Sequence, residues 1–182
     1  MTIFSHFRRN PRAALIAALH RRIAEAARDP ALYARLGVAD TVEGRFACLT
    51  LHVVLVLRQL RRLPAPAREV AQELVDFVFR QLDASLRELG VGDMGVPKRM
   101  KKLAQAFYSR AAAYDAVLDS RDDARLAAVL AEHFDAAPEA LFGLARYALA
   151  VETALAARSL EAFLQDGPGL PSPAAFAEED VR

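Results

Sequence analysis

The stretch TVEGRFACLTLHVVLVLRQLRR, residues 41–62, decides the fold because it is apolar on almost every side. Asp40 and Glu43 resemble a capping box, with Asp in the capping position and an acid three residues later. The many β-branched residues could suggest a strand, but the cap and the length of the run favour a helix. A helix that is apolar all round is buried. The sequence therefore predicts a central helix near residues 41–62.

Proline and glycine divide the rest of the chain into further amphipathic helices. Pro11 opens a helix that should end near Arg28, and Asp29–Pro30 starts a short helical turn. Later helices are predicted from Pro66 to Gly90, from Pro97 through Tyr114, from about Ser120 past Phe134, and from Pro138 to just before Gly167. There is no internal repeat and no hairpin signal. We expect an all-α, single-domain bundle of about six or seven helices over residues 1–165.

Residues 166–182 have a different composition, with three prolines, two glycines and an acidic patch at Glu178–Asp180. Such a segment has little to bury, so we expect a flexible tail. At the other end, Phe4 and Phe7 are expected to fold back onto the core, with an interfacial anchor as the alternative.

Composition and charge limit the domain organisation and the cellular environment that fit this chain. The chain has 182 residues, which suits one well-buried domain, and its net charge is only +1. Electrostatic targeting must therefore be local rather than a property of the whole molecule. Cys48 is the single cysteine, which rules out an internal disulfide and fits a reducing compartment. The basic and apolar N-terminal residues imitate a signal peptide, but His20, Arg21 and Arg22 interrupt that pattern. We expect a cytoplasmic protein.

The stretch GVGDMGVPKRMKKLAQAFYSRAAAY, residues 90–114, holds five basic residues and no acid after Pro97. At 100° per residue, one side of the helix can pack against the core and the other is strongly cationic. Cations are unfavourable in a first turn, at about 0.3–1 kcal/mol each at low salt. Asp93, another part of the fold or an anionic partner would offset this cost. A solvated basic surface is the alternative to a docking surface. The candidate partner-binding residues are Asp93, Lys98, Arg99, Met100, Lys101, Lys102, Phe107, Tyr108, Arg110 and Tyr114.

Motifs for catalysis, cofactors and metals are lacking. Gly90, Gly92 and Gly95 satisfy G-x-G-x-x-G, but a helix precedes them where the dinucleotide fingerprint requires a strand. The four histidines have no second ligand at metal spacing. His52, which shares a polar line with Arg45, is the one candidate for a lipid or quinone pocket. We expect no enzyme, no cofactor and no metal.

Three segments resemble the ubiquinol–cytochrome c chaperone family. They are DTVEGRF at 40–46 with His52, FRQLDASLRELGVGDMGVPKRMKK at 79–102, and AFYSR at 106–110 with Tyr114. The resemblance covers roughly residues 30–150, and the glycine loop with the basic helix is its specific part. Ser109 departs from it, since glycine is expected there in the family. Because serine has a side chain and glycine has none, the difference affects how closely another backbone can approach residue 109.

The resemblance implies an assembly chaperone for the cytochrome b subunit of ubiquinol–cytochrome c reductase, which needs no catalytic groups. It implies that nascent or unassembled cytochrome b is the client, held on apolar surface in a groove between helices. The cationic side could touch ribosomal RNA, an anionic membrane surface at the inner membrane, or acidic client loops. DNA and small-molecule substrates are not expected. A lipid- or quinone-binding protein and a ribosome-binding module remain the alternatives.

Overall fold

The computed structural model describes residues 11–177. In this part the chain forms eight α-helices and no strand: α1 (Pro11–Ala26), α2 (Pro30–Arg35), α3 (Val42–Arg62), α4 (Ala67–Glu88), α5 (Val96–Leu118), α6 (Asp123–Phe134), α7 (Phe142–Ala156) and α8 (Leu160–Gln165). Two 3₁₀ helices span Pro138–Leu141 and Pro173–Phe176. The predicted all-α single domain is confirmed. Six of the α-helices are long and two have one or two turns.

Helix α3 lies at the centre of the bundle, as predicted. Almost every residue from Ala47 to Leu60 is buried, and α3 packs against α1, α4, α5 and α7. Its cap differs from the predicted one. Thr41 is the N-cap, and its Oγ1 accepts a hydrogen bond from the Gly44 amide at 3.0 Å. Asp40 pairs instead with Arg45 at 2.7 Å, because the helix starts one residue later than the capping box implies.

Helices α4 and α5 form an antiparallel pair against α3. They are joined by residues 89–95, which we call the hairpin tip. Gly90 has a φ of 77°, a left-handed conformation that ends α4 and that glycine adopts at no steric cost. Helix α5 starts at Val96 with Pro97 in its first turn, so the predicted transition from loop to helix is correct.

The predicted long helix from Pro138 to before Gly167 is wrong, because the chain is divided there. A 3₁₀ helix is followed by α7 and, after a break, by α8. Ser159 restarts the helix, since its Oγ accepts a hydrogen bond from the Ala162 amide at 3.2 Å. The Arg158 side chain crosses the break and donates to the Gly167 carbonyl at 2.9 Å.

Residues 173–176 pack on α2 and α7. The rings of Tyr147 and Phe176 lie 5.8 Å apart, and a Cβ on Gly143 would be 2.8 Å from the Phe176 carbonyl oxygen. This part of the expected flexible tail therefore lies on the folded domain. The expectations for Phe4, Phe7 and the acidic patch at Glu178–Asp180 lie outside the described residues. Within residues 11–177, no helix combines the length and the apolar character that crossing a membrane requires.

Candidate functional site

A groove of about 370 Å³ lies between α3, α4 and α5. Its lining is mainly apolar and draws on all three helices: Val54, Leu57, Arg61, Arg68, Ala71, Gln72, Val75, Phe107, Tyr108 and Ala111. Arg61, Arg68, Gln72 and Tyr108 are exposed, so the groove opens to solvent. We call it the α3–α4–α5 groove. Its apolar walls and polar rim are typical of sites that bind apolar ligands or peptide segments.

An aromatic cluster forms one end of the groove. Tyr108 is 58% exposed, and its ring stacks on Phe79 with the centroids 6.2 Å apart. Phe107 contacts both rings edge-on, at 5.5 Å from Phe79 and 5.4 Å from Tyr108. Aromatic contacts of this kind orient a side chain. Tyr108 is therefore held in place while much of its ring stays open to a partner.

Next to the groove, the first two turns of α5 carry exposed cations. We call Lys98, Arg99, Lys101 and Lys102 the basic face. Lys98, Lys101 and Lys102 have the spacing i, i+3, i+4 and lie on one side of the helix. Among the described residues, no carboxylate pairs with any of the four. Asp93, one of the predicted sources of negative charge for these cations, instead binds Arg87 Nη1 at 2.6 Å.

The other predicted site residues divide between surface and core. Met100 and Arg110 are half-buried, and the Arg110 guanidinium lies 5.1 Å from the centre of the Phe46 ring. Burial lowers the pKa of Arg110. Phe107 and Tyr114 are core residues with 2% and 0% of their surface exposed, because this side of α5 faces α3 and α6. Tyr114 thus cannot contact a partner in this conformation, whereas Phe107 reaches the groove wall.

The groove residues of α3 and α4 were missed by sequence reasoning. Val54 and Leu57 lie in the apolar run that predicts a buried helix, and no prediction singles out Arg61 or Val75. The apolar periodicity of each helix shows which side packs. It does not show where two neighbouring helices leave a groove between them. No signal in the sequence would have separated these positions from ordinary core residues.

His52 has a structural role in this fold. It is fully buried, its Nδ1 lies 2.8 Å from the Cys48 carbonyl oxygen, and its Nε2 lies 2.8 Å from the Tyr147 hydroxyl. Since a carbonyl oxygen only accepts, Nδ1 carries the proton and Nε2 accepts from Tyr147. Burial lowers the pKa of His52 to about 4, so the ring is neutral at physiological pH.

Neither groove described in this structure supports the alternative of a lipid or quinone pocket beside His52. Arg45, expected to point into the same cavity, is exposed and bound to Asp40. Neither the α3–α4–α5 groove nor a second groove between α1 and α4 is lined by His52. Burial raises the pKa of the Cys48 thiol to about 12, which keeps this sulfur protonated and unreactive. Over residues 11–177, no three His, Cys, Asp or Glu side chains come together as a metal site.

The fold and the site together define a class of protein. It is an all-helical domain with an open apolar groove beside cations that no carboxylate of residues 11–177 pairs with. The family model described as ubiquinol-cytochrome C chaperone matches residues 34–170, and the chain belongs to this family. That range contains helices α3 to α8, and hence the whole α3–α4–α5 groove and the basic face. The resemblance seen in the sequence is confirmed, and membership implies a non-enzymatic role.

A solved structure supports the same assignment. The crystal structure of the Cbp3 homolog from Brucella abortus is similar to this chain, with 41% sequence identity and a TM-score of 0.75. The similarity covers 91% of this chain and 93% of that one. No curated protein matches the sequence.

Proposed function

We propose that the chain is an assembly chaperone for the cytochrome b subunit of ubiquinol–cytochrome c reductase. In this proposal the α3–α4–α5 groove holds an apolar segment of the unassembled client. The basic face contacts an anionic partner close by. The observation that carries the proposal is the open groove of about 370 Å³ in a member of this chaperone family. The work would take place in the cytoplasm, next to the inner membrane that receives the client.

The chemistry of the groove suits such a client. An unassembled membrane subunit carries apolar helix faces, and a groove between helices takes such a face through a few side chains. The exposed part of Tyr108 adds a large contact area with little loss of side-chain entropy. Arg68 at the rim is exposed and lies where a polar flank of the client would pass.

The proposal is tested by placing a charge at the open end of the groove. Tyr108→Glu should reduce the amount of newly made cytochrome b that co-purifies with the tagged chain at least tenfold, because a carboxylate would have to be desolvated against the client. Thermal unfolding should change little, since Tyr108 is 58% exposed. Assembled reductase, measured from the haem b absorbance of membranes, should fall in parallel.

Val42→Glu is the matched control, because Val42 is 74% exposed and does not line the groove. It should leave co-purification unchanged. Full recovery of cytochrome b with Tyr108→Glu would contradict the assignment of the groove. Loss of a ribosomal RNA contact instead, with cytochrome b retained, would favour a ribosome-binding module.

A further inference from the structure

The hairpin tip exposes two large apolar side chains. Met94 is 96% exposed and Leu89 is 75% exposed, and Met94 is the most exposed large hydrophobic residue in the described part of the chain. Around Gly90 and Gly92 there is open space, with no atom within 4 Å of a Cβ built on either residue. Gly92 has no positive φ to explain its presence. Leu89, Gly90, Gly92 and Met94 are therefore open to solvent, while Val91 and Gly95 of the tip are partly buried.

Positive charge begins directly after these apolar side chains. Lys98 follows Met94 by four residues, and Lys101 and Lys102 continue the same side of α5. Side chains on a helix tilt towards its N-terminus, so these lysines lean towards the hairpin tip. From residue 83 to residue 102 there are five cations and three carboxylates. Two of those carboxylates, Asp83 and Asp93, are both bound to Arg87, and the third is Glu88.

We propose that the hairpin tip docks on the surface of an anionic lipid bilayer. Leu89 and Met94 enter the boundary between head groups and acyl chains, and the basic face binds lipid phosphates. The inference deepens the proposed function because it names the anionic partner. It rests on the proposed function only in taking the membrane as the place where the protein works. Peripheral proteins bind bilayers through this pairing of apolar side chains with adjacent cations.

A bilayer fits the two features better than nucleic acid does. RNA would satisfy the lysines but offers nothing apolar to Leu89 and Met94. Base stacking also needs aromatic rings among the cations, and the aromatic side chains of α5 lie at the groove or in the core. A bilayer supplies a dense layer of phosphates directly above an apolar layer, which matches the order of side chains along the tip and α5.

The docked orientation also places the groove usefully. Tyr108 follows Lys98 by ten residues, which is about 15 Å along a helix. With the hairpin tip at the surface, the part of the α3–α4–α5 groove formed by Tyr108 lies at most about 15 Å farther from the head groups than Lys98. A client segment entering the bilayer would pass within reach of it.

Vesicle co-sedimentation of the full chain tests the proposal. Binding should be strong to phosphatidylcholine vesicles containing about one-third phosphatidylglycerol and weak to pure phosphatidylcholine. Each basic residue near an anionic surface contributes about fivefold, so Lys98→Gln/Lys101→Gln/Lys102→Gln should weaken binding about 100-fold. Met94→Ser should weaken it about tenfold. Raising the salt concentration to about 1 M should abolish most of the binding.

The matched control is Arg28→Gln/Arg35→Gln/Arg125→Gln, which removes three positive charges at exposed positions outside α5. It should bind anionic vesicles almost as well as the parent chain. Equal binding to neutral vesicles, an equal loss in the control, or no effect of Met94→Ser would each overturn the proposal. Lysine-dependent binding to an RNA oligonucleotide without vesicle binding would assign the basic face to nucleic acid.

The same variants separate this inference from the proposed function. Tyr108→Glu should keep vesicle binding while it loses cytochrome b. If Tyr108→Glu retains the client and vesicle binding still depends on the lysines and Met94, the groove is not the client site. The assignment of the hairpin tip as a membrane-docking surface is then still supported.

Discussion

At the scale of single residues, His52 shows how a polar side chain is accommodated in the buried central helix α3. Both ring nitrogens are hydrogen-bonded, one to the Cys48 carbonyl and the other to the Tyr147 hydroxyl. A buried polar group costs little when its partners are present and much when they are not. The contact to Tyr147 also ties α3 to α7.

This arrangement predicts that acid destabilises the fold. The pKa of His52 is about 4 in the folded chain and about 6.5 when unfolded, so the unfolded state takes up the proton first as pH falls. The stability that depends on neutral His52 is complete above about pH 6.5 and is lost between there and about pH 4. At pH 5 the loss should be roughly 2 kcal/mol relative to neutral pH. Urea unfolding at the two pH values measures it.

The control for this effect is His52→Gln, in which the amide cannot titrate. This variant should be less stable at neutral pH but should lose about 2 kcal/mol less than the parent chain on acidification. Equal acid losses in the two proteins would show that other groups cause the pH dependence.

At the scale of helices, an ion-pair cluster joins the C-terminal end of α3 to α5 and α7. Arg58 is 7% exposed, and its Nε donates to Glu152 at 2.7 Å while Nη1 donates to Asp115 at 2.8 Å. Asp119 binds the remaining guanidinium nitrogen. Arg62 also reaches Glu152, at 3.1 Å. Arg58 and Arg62 thus join α3, α5 and α7 through ion pairs, in addition to any favourable interaction with the C-terminal end of α3.

We predict that Arg58→Met destabilises the protein by about 3–5 kcal/mol, because buried Glu152 then keeps only Arg62 as a partner. Arg58→Met/Glu152→Leu should recover most of the loss, since the buried carboxylate that depended on Arg58 is gone. Denaturant unfolding of the two single variants and the double variant gives the coupling energy. Additive losses would contradict the mechanism.

Arg61→Met provides the comparison for a surface pair. Arg61 is exposed and binds Asp115 at 2.8 Å, so its removal should cost less than about 1 kcal/mol.

At the scale of the whole molecule, the C-terminal segment matters to the fold. Pro173 is buried, and Phe176 packs on Tyr147 with its backbone against Gly143. Residues 173–176 therefore cover part of α7 that would otherwise face water. Residues 173–176 thus contact the bundle, although they lie beyond residue 165, where the predicted helical domain ends.

We predict that ending the chain after residue 165 lowers the melting temperature by roughly 5–10 °C, since the truncation exposes apolar surface of α2 and α7. Phe176→Ala alone should cost about 2 kcal/mol. A chain that ends after residue 177 keeps these contacts and is the control. If the chain that ends after residue 165 melts at the same temperature as the parent chain, residues 166–182 form a tail that does not stabilise the domain.

Much of the fold and part of the candidate site could be predicted from local sequence. The all-α class follows from apolar periodicity and from prolines and glycines at helix ends, which act within a few residues. The apolar run near residues 41–62 predicts a central helix because such a surface has to be buried on every side. The exposed basic face of α5 follows from spacing alone, and the family could be inferred from three short segments.

Tertiary structure alone decided the rest. Helix periodicity predicts that Tyr108 and Tyr114 both lie on the packing side of α5, with Tyr108 at its edge, and it does not predict that one is 58% exposed and the other fully buried. The α3–α4–α5 groove, the Arg58 cluster and the packing of residues 166–177 each bring together residues far apart in the chain. The physical reason is the same in each case. Helix periodicity specifies which side of a helix turns inward, whereas a groove or a buried ion pair depends on how closely separate helices approach.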